Sequence, residues 1–107
     1  MSADIINELY CVLEERKNAD PRDSYVASLY ATGVDQILKK IGEEATELVL
    51  AGKGGSTDEI IRETADLWFH CLVLLAYKGI DSEHIMSELK RRFGHSGLEE
   101  KASRRQQ

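Results

Sequence analysis

Five carboxylates in two short clusters are the residues of this 107-residue chain best placed to do chemistry. Gly42-Glu-Glu-Ala-Thr-Glu47 holds three acids, and Glu63-Thr-Ala-Asp66 holds two more. Glu44 and Glu47 are i,i+3 neighbours, as are Glu63 and Asp66. On helices, each pair presents its oxygens from one side, a turn apart. If the two helices pack antiparallel, as a short connection encourages, both pairs converge on one point. Converging carboxylates repel one another and call for a cation. Oxygen-only ligands suit a hard ion, Mg2+ or Mn2+, of the kind that keeps waters and meets substrate phosphates. Four carboxylates leave room for more than one such ion. An ExxE pair alone is weak evidence, because glutamates also populate solvated helix faces. Position strengthens it here: Glu44 and Glu47 flank Ala45 and Leu48, and Glu63 and Asp66 run directly into the apolar stretch that opens at Leu67.

The charge distribution points the same way. Residues 43–66 carry seven acids and two bases, a balance of -5, whereas residues 90–105 carry six bases and two acids, a balance of +4. An acidic metal cage beside a basic segment suits a polyphosphate, with metal on some oxygens and guanidinium or ammonium groups on others. The alternative for the tail is a solvated, frayed terminus. Lys40 stands four residues before Glu44, as a phosphate contact or as an i,i+4 partner that relieves acidic repulsion. Lys53, in the expected flexible Gly52–Gly55 loop, is a second candidate for substrate contact. Arg91 and Arg92 are less specific, since basic residues near a helix C-terminus also offset its dipole. His70, four residues after Asp66, is a core histidine or a partner of that acid. His84 and His95 have no acidic cluster behind them and are expected at the surface. With no Ser-His-Asp or Cys-His arrangement, direct attack by an activated water is expected, a glutamate among Glu43, Glu44 and Glu47 taking its proton.

The elements that must position these residues are helical. No β-alternation of useful length, low-complexity tract or second domain is visible, and an all-α fold of four to five helices follows. Apolar spacing predicts helices over 5–17 (Ile5, Leu9, Val12 and Leu13 on one face, Ser2 or Asp4 as N-cap) and from Val34 to Leu50 (Val34, Ile37, Leu38, Ile41, Ala45, Leu48 and Val49). A short helix or irregular turn is expected over 24–30, with Tyr25 and Leu29 together. Gly42 interrupts the second pattern and implies close packing or a local departure from the helix. Ser56-Thr-Asp-Glu59 has the form of a capping box opening a helix to Tyr77, with Gly79 as its C′ residue. Asp81 caps a last helix through Arg92, using Ile85, Met86, Leu89 and Phe93 against the core.

Size and composition bound the rest. With 42% hydrophobic and 31% charged residues, the chain can build one modest core. A domain of this length buries only about 60–68% of its unfolded surface, so a partner subunit is plausible on physical grounds. The stretch from Leu67 to Tyr77 is apolar on nearly every side, which predicts burial between this subunit and a second copy, with Trp68 in the core or the subunit contact. A net charge of -5 argues against a nucleic-acid binder. The longest apolar run, Cys71–Tyr77, cannot span a bilayer, and no signal-peptide pattern opens the chain, so a cytoplasmic protein without membrane contact is expected. Cys11 and Cys71 are expected as buried thiols of a reducing compartment.

With these residues in hand, the chain resembles the phosphoribosyl-ATP pyrophosphohydrolase family of histidine biosynthesis, within the all-α nucleotide pyrophosphohydrolase superfamily. Ser24-Tyr25 with Leu29, Lys40-Ile-Gly-Glu-Glu-Ala-Thr-Glu47, Glu63-Thr-Ala-Asp-Leu-Trp-Phe-His70 and the closing run from Ser96 to Arg104 carry the resemblance. EExxE followed by ExxD is moderately specific; its combination with the Lys-x-Gly-Glu-Glu opening and the Ser-Gly…Glu-Lys-Ala-Ser-Arg ending is strong. Thr64 and Trp68-Phe69 depart from the family pattern, where smaller, aliphatic or tyrosine residues are expected. The resemblance implies a homodimer and Mg2+-dependent cleavage of the α–β phosphoanhydride of phosphoribosyl-ATP, giving phosphoribosyl-AMP and pyrophosphate. Glu44, Glu47, Glu63 and Asp66 match the metal-binding acids, and Glu43 matches the first acid of the motif. Lys101 and Arg104 match the basic ending and become phosphate-binding candidates. The expected domain is the whole of 1–107, with 95–107 a basic tail. Two other functions stay open: a housecleaning nucleoside triphosphate pyrophosphohydrolase, and a non-enzymatic helical interaction or metal-storage protein.

Overall fold

The computed structural model describes residues 2–93, with side chains described from Ile5 onward. The basic tail, with Lys101, Arg104 and His95, lies outside the described residues. The fold is all-α: α1 (Ser2–Glu15), a 3-10 turn over Arg16–Asn18, α2 (Tyr25–Thr32), α3 (Val34–Gly54), α4 (Thr57–Lys78) and α5 (Ser82–Arg91). None of these helices is long and apolar enough to cross a membrane.

Local chemistry sets most boundaries. The Ser24 hydroxyl accepts from the Ala27 N–H at 3.1 Å and opens α2. Ser56 and Glu59 form the expected reciprocal capping box at the start of α4. Gly79 ends α4 with φ 71°, a left-handed conformation that lets the Ile80 N–H reach the Leu75 carbonyl at 2.9 Å. Asp81 caps α5 through the Glu83 N–H at 2.9 Å. Asp4, in contrast, lies inside α1, which begins at Ser2.

Leu13, Ile37 and Val73 are the largest fully buried apolar side chains, joined in the core by Tyr10, Val26, Leu29, Leu72 and Ala76. Tyr30 ties α2 to α1 by donating its hydroxyl to the Leu13 carbonyl at 2.9 Å. Burial, then the nearby Glu14 and Tyr10, pushes that phenol up to about 12.

Several expected faces are corrected by tertiary packing. On α1 the buried seam is Ile6, Leu9, Tyr10 and Leu13, an i, i+3, i+4, i+7 stripe, which leaves Ile5 and Val12 exposed. On α2 Leu29 is buried and Tyr25 is exposed. On α3 Ile37 is fully buried, whereas Leu38 and Val49 face solvent. Cys11 is exposed and Cys71 half-buried, both free thiols, so neither is the buried thiol expected. Ile85 and Leu89 on α5 and Phe93 just beyond it are exposed; the residue that α5 buries is Ser82, whose hydroxyl donates to Asn7 Oδ1 at 3.0 Å.

Two glycines behave oppositely. Helix α3 runs unbroken through Gly42, and a Cβ there would meet nothing within 4 Å, so neither close packing nor a departure from the helix accounts for it. A Cβ on Gly55 would sit 2.8 Å from the Ala51 carbonyl oxygen and 3.0 Å from Ala51 Cα. Gly42→Ala is expected to stabilise the chain by about 0.5–1 kcal/mol through helix propensity. Gly55→Ala is expected to cost about 1–3 kcal/mol, because the obstruction is backbone that must shift. Urea unfolding of both variants checks the opposed signs.

Candidate functional site

Only Gly55 and Ser56 separate α3 from α4, and the two helices form the most extensive pairing in the fold. So short a link between long helices makes an antiparallel hairpin, as the spacing predicts. Glu44, near the middle of α3, therefore faces the first half of α4, which bears Glu63 and Asp66. Glu44, Glu63 and Asp66 each place one carboxylate oxygen so that all three lie within 4.8 Å of one another. Glu44 and Glu63 are half-buried and Asp66 is exposed, which leaves the cluster open on one side.

Electrostatics mark this cluster as short of positive charge. Loss of hydration at the helix contact raises the Glu63 carboxyl above its ordinary value, and repulsion from Glu47, Glu44 and Asp66 raises it further. Arg62 opposes that shift more weakly. The nearest ammonium, Lys40 Nζ, lies 3.7 Å from Glu44 and 3.4 Å from Glu43. The i,i+4 pairing expected from the sequence is therefore present.

The remaining candidates fall at different distances from the cluster. Glu47 contributes no oxygen to the group of three, yet it is the strongest charged influence on Glu63 and stands at the edge of the site. Glu43 is exposed and engages Lys40. Lys53 does not lie in a flexible loop: α3 continues through Gly54. It stands nine residues beyond Glu44 on the same helix, about 13 Å along the axis. Arg91 and Arg92 both pair with Glu88, at 2.7 and 3.1 Å, and hold that carboxyl down at about 2.

His70 is buried and hydrogen-bonded at both ring nitrogens, the core histidine of the two sequence alternatives. Its Nδ1 lies 2.8 Å from the main-chain carbonyl oxygen of Asp66, not from that residue's carboxylate. Its Nε2 lies 2.8 Å from the hydroxyl of Tyr25. Sequence reasoning gave Tyr25 no functional role, yet its phenol sits among charged groups of the site. Loss of hydration raises its pKa, Lys40 opposes the rise, and Glu44, Glu43 and Asp66 add to it. The available signal was the Ser24-Tyr25 pair, whose serine caps α2 and thereby sets where the tyrosine emerges.

Trp68 is 59% exposed, so of the two places expected for it, core or subunit contact, the core of the single chain is excluded. With Ile6, Cys71, Leu75, Ile85, Met86 and Leu89 it lines an apolar groove of about 540 Å³ between α1, α4 and α5.

A sequence profile described as phosphoribosyl-ATP pyrophosphohydrolase matches residues 6–93. The phosphoribosyl-ATP pyrophosphatase of Geobacter metallireducens is 61% identical over 101 residues, covering 94% of this chain and 93% of the relative. That of Methylococcus capsulatus is 59% identical over 102 residues, covering 95% and 97%. That of Geotalea daltonii is 59% identical over 104 residues, covering 97% and 98%.

Proposed function

This chain belongs to the phosphoribosyl-ATP pyrophosphohydrolase family, and from that premise we propose that its acidic cluster is the Mg2+ site at which pyrophosphate is cut from phosphoribosyl-ATP. The chain is an enzyme of histidine biosynthesis, a phosphoribosyl-ATP pyrophosphatase. The observation that carries the site is the approach of one oxygen each from Glu44, Glu63 and Asp66 to within 4.8 Å of one another across two helices.

The donor set fits the ion. Three carboxylates and no nitrogen or sulfur make a hard oxygen site, and the raised Glu63 carboxyl reflects a charge that a divalent cation would relieve. Glu44, Glu63 and Asp66 would hold Mg2+, with Mn2+ an acceptable substitute, and Glu47 would join from the edge. When bound, the ion supplies charge neutralisation for the phosphoanhydride oxygens and raises the acidity of water. The chain's own residues do the rest. Glu43, exposed and paired with Lys40, and Glu47, exposed at the edge of the site, stand outside the group of three and are the candidates to accept a proton from the attacking water. Lys40 offers its ammonium to the phosphates, exchanging a shared pairing with two glutamates for one with the substrate. Lys53, Lys101 and Arg104 remain proposed contacts for the more distant phosphate and ribose groups. Cleavage of the α–β phosphoanhydride leaves phosphoribosyl-AMP and pyrophosphate.

A homodimer belongs to the same proposal, with the apolar groove of α1, α4 and α5 covered by a second copy. Two observations support it. Trp68, Ile85 and Leu89 lie exposed around one concave surface, an arrangement that monomers rarely keep in water. The radius of gyration is 16.1 Å, against about 13 Å for a compact chain of this length, as expected of long helices not closed into a complete bundle. A cytoplasmic setting, in keeping with two free cysteines, completes the proposal.

The test is pyrophosphate release from phosphoribosyl-ATP beside a panel of deoxynucleoside triphosphates, with Mg2+ and with chelator. Turnover is expected only with Mg2+ (or Mn2+) and fastest with phosphoribosyl-ATP. Undiminished activity in chelator would remove the metal from the proposal, and faster turnover of any deoxynucleoside triphosphate would point to housecleaning instead.

A further inference from the structure

Toward the turn between α3 and α4, the acidic cluster borders a hollow of about 310 Å³ to which the reaction outlined above assigns nothing. Glu47 and Glu63 line it on the side of the cluster, and Leu50, Gly54, Glu59 and Arg62 line it beyond them. Glu47, Leu50 and Gly54 share one face of α3 through their i, i+3, i+7 spacing. A Cβ on Gly54 would meet nothing within 4 Å, so the missing side chain leaves that wall open. Arg62 stands among acids and is spent on none of them. Asp58, Glu59 and Asp66 lie at i−4, i−3 and i+4 on its own helix, the spacings at which helical ion pairs form. Yet among the described residues no carboxylate comes within 4.0 Å of its guanidinium, whereas Lys40, Arg91 and Arg92 all pair. Glu59 is turned to the capping box, its Oε1 accepting from the Ser56 N–H at 3.4 Å, and Asp66 is turned to the acidic cluster.

We propose that this hollow is the subsite for the pyrophosphate half of the substrate, and that Arg62 binds it there with the planar fork of its guanidinium. Position supports this first: Glu63 belongs both to the group of three carboxylates and to the wall of the hollow, so a phosphoanhydride at the cluster has one end at the hollow's entrance. Size and lining decide which end. The volume is at the lower limit of small-ligand sites, roughly 300–1,000 Å³, and suits a diphosphate better than a nucleoside. The lining offers a nucleobase no aromatic ring to stack on. Charge completes the argument. Three glutamates line the hollow, so a departing polyanion needs a cation on the same wall, and Arg62 supplies it. A guanidinium takes two phosphate oxygens at once, which a lysine ammonium cannot match in geometry.

This inference rests on the reading of the acidic cluster as the place of α–β cleavage, and the two products of that cleavage test it. Binding of inorganic pyrophosphate and of phosphoribosyl-AMP to the Mg2+-loaded protein is measured by titration calorimetry, beside Mn2+ titration of the metal-free protein. Arg62→Gln removes an exposed charge that no ion pair uses, so the fold should survive. It is expected to weaken pyrophosphate binding on the order of 10-fold, the loss of a hydrogen bond to a charged group, and to leave phosphoribosyl-AMP binding unchanged. Mn2+ affinity should be no weaker than in the parent, because the change removes a positive charge. Gly54→Leu fills the hollow from the α3 side without touching any charge, and should weaken the same product selectively. Unchanged pyrophosphate binding in either variant, or equal weakening of both products, would overturn the proposal and leave the cleavage site standing. A parent protein that binds Mn2+ yet releases no pyrophosphate from phosphoribosyl-ATP would overturn the reading of the cluster and this inference with it.

Discussion

Glu63→Gln is expected to abolish most of the activity while making the metal-free protein more stable. Both effects come from one cause. In the free chain Glu63 is crowded by Glu44, Glu47 and Asp66 and has lost hydration at the α3–α4 contact, so its carboxyl titrates above its ordinary value. A carboxyl whose pKa is raised by folding adds stability that is fully present below its unfolded value and is lost as pH rises through the raised value. At neutral pH the ionised group therefore opposes folding, and a neutral amide of the same size does not. The same charge is what a divalent cation requires. Loss of one carboxylate ligand is expected to lower kcat on the order of 10²- to 10³-fold, comparable to removing one preorganised group that stabilises developing charge. Thermal melts in chelator, at neutral pH and again near pH 4 (about the ordinary glutamate pKa), check the stability half. The variant should melt higher at neutral pH, and its advantage should shrink in acid. A lower melting temperature in chelator at neutral pH, or retained activity with Mg2+, would refute the assignment. Active sites commonly hold such locally unfavourable groups, and Asp66→Asn should lose activity to a similar degree.

The second large effect is expected at the opposite face of α4. Trp68 and Leu89 stand on two helices across the apolar groove, and both are largely exposed in the single chain. Trp68→Glu and Leu89→Glu should each weaken self-association by on the order of 2–4 kcal/mol, as for a buried anchor at an interface centre. Neither residue belongs to the single-chain core, so the helical content of the monomer should survive. Light scattering should give twice the 12.0 kDa chain mass for the parent protein and a single mass for the double variant. A parent that stays at 12.0 kDa at all concentrations would rule out the dimer.

The acidic site was legible because its information is local. Two i,i+3 acid pairs flanking a short, glycine-ended connection place carboxylates on facing sides of a hairpin, and the helix period alone carries that inference. The capping box at Ser56 and the left-handed Gly79 were legible for the same reason: each motif completes its hydrogen bonds within a few residues. Tyr25 was not, because its partner His70 lies 45 positions away and no periodicity links them. Exposure was also misread wherever apolar residues had two faces to choose from. Val12, Leu38 and Val49 fit a helical stripe on paper, but each helix packs on one line only, and that line is set by its neighbours.

The sequence by itself determined the fold class, most helix boundaries, the family and the identity of the clustered acids, since turn chemistry, helical spacing and motif order act over short stretches of chain. Only the tertiary structure decided which three of the four acids meet, which face of each helix is buried and how His70 is held. Those outcomes depend on the rotation and offset of packed helices, which many side chains settle jointly and no single segment encodes.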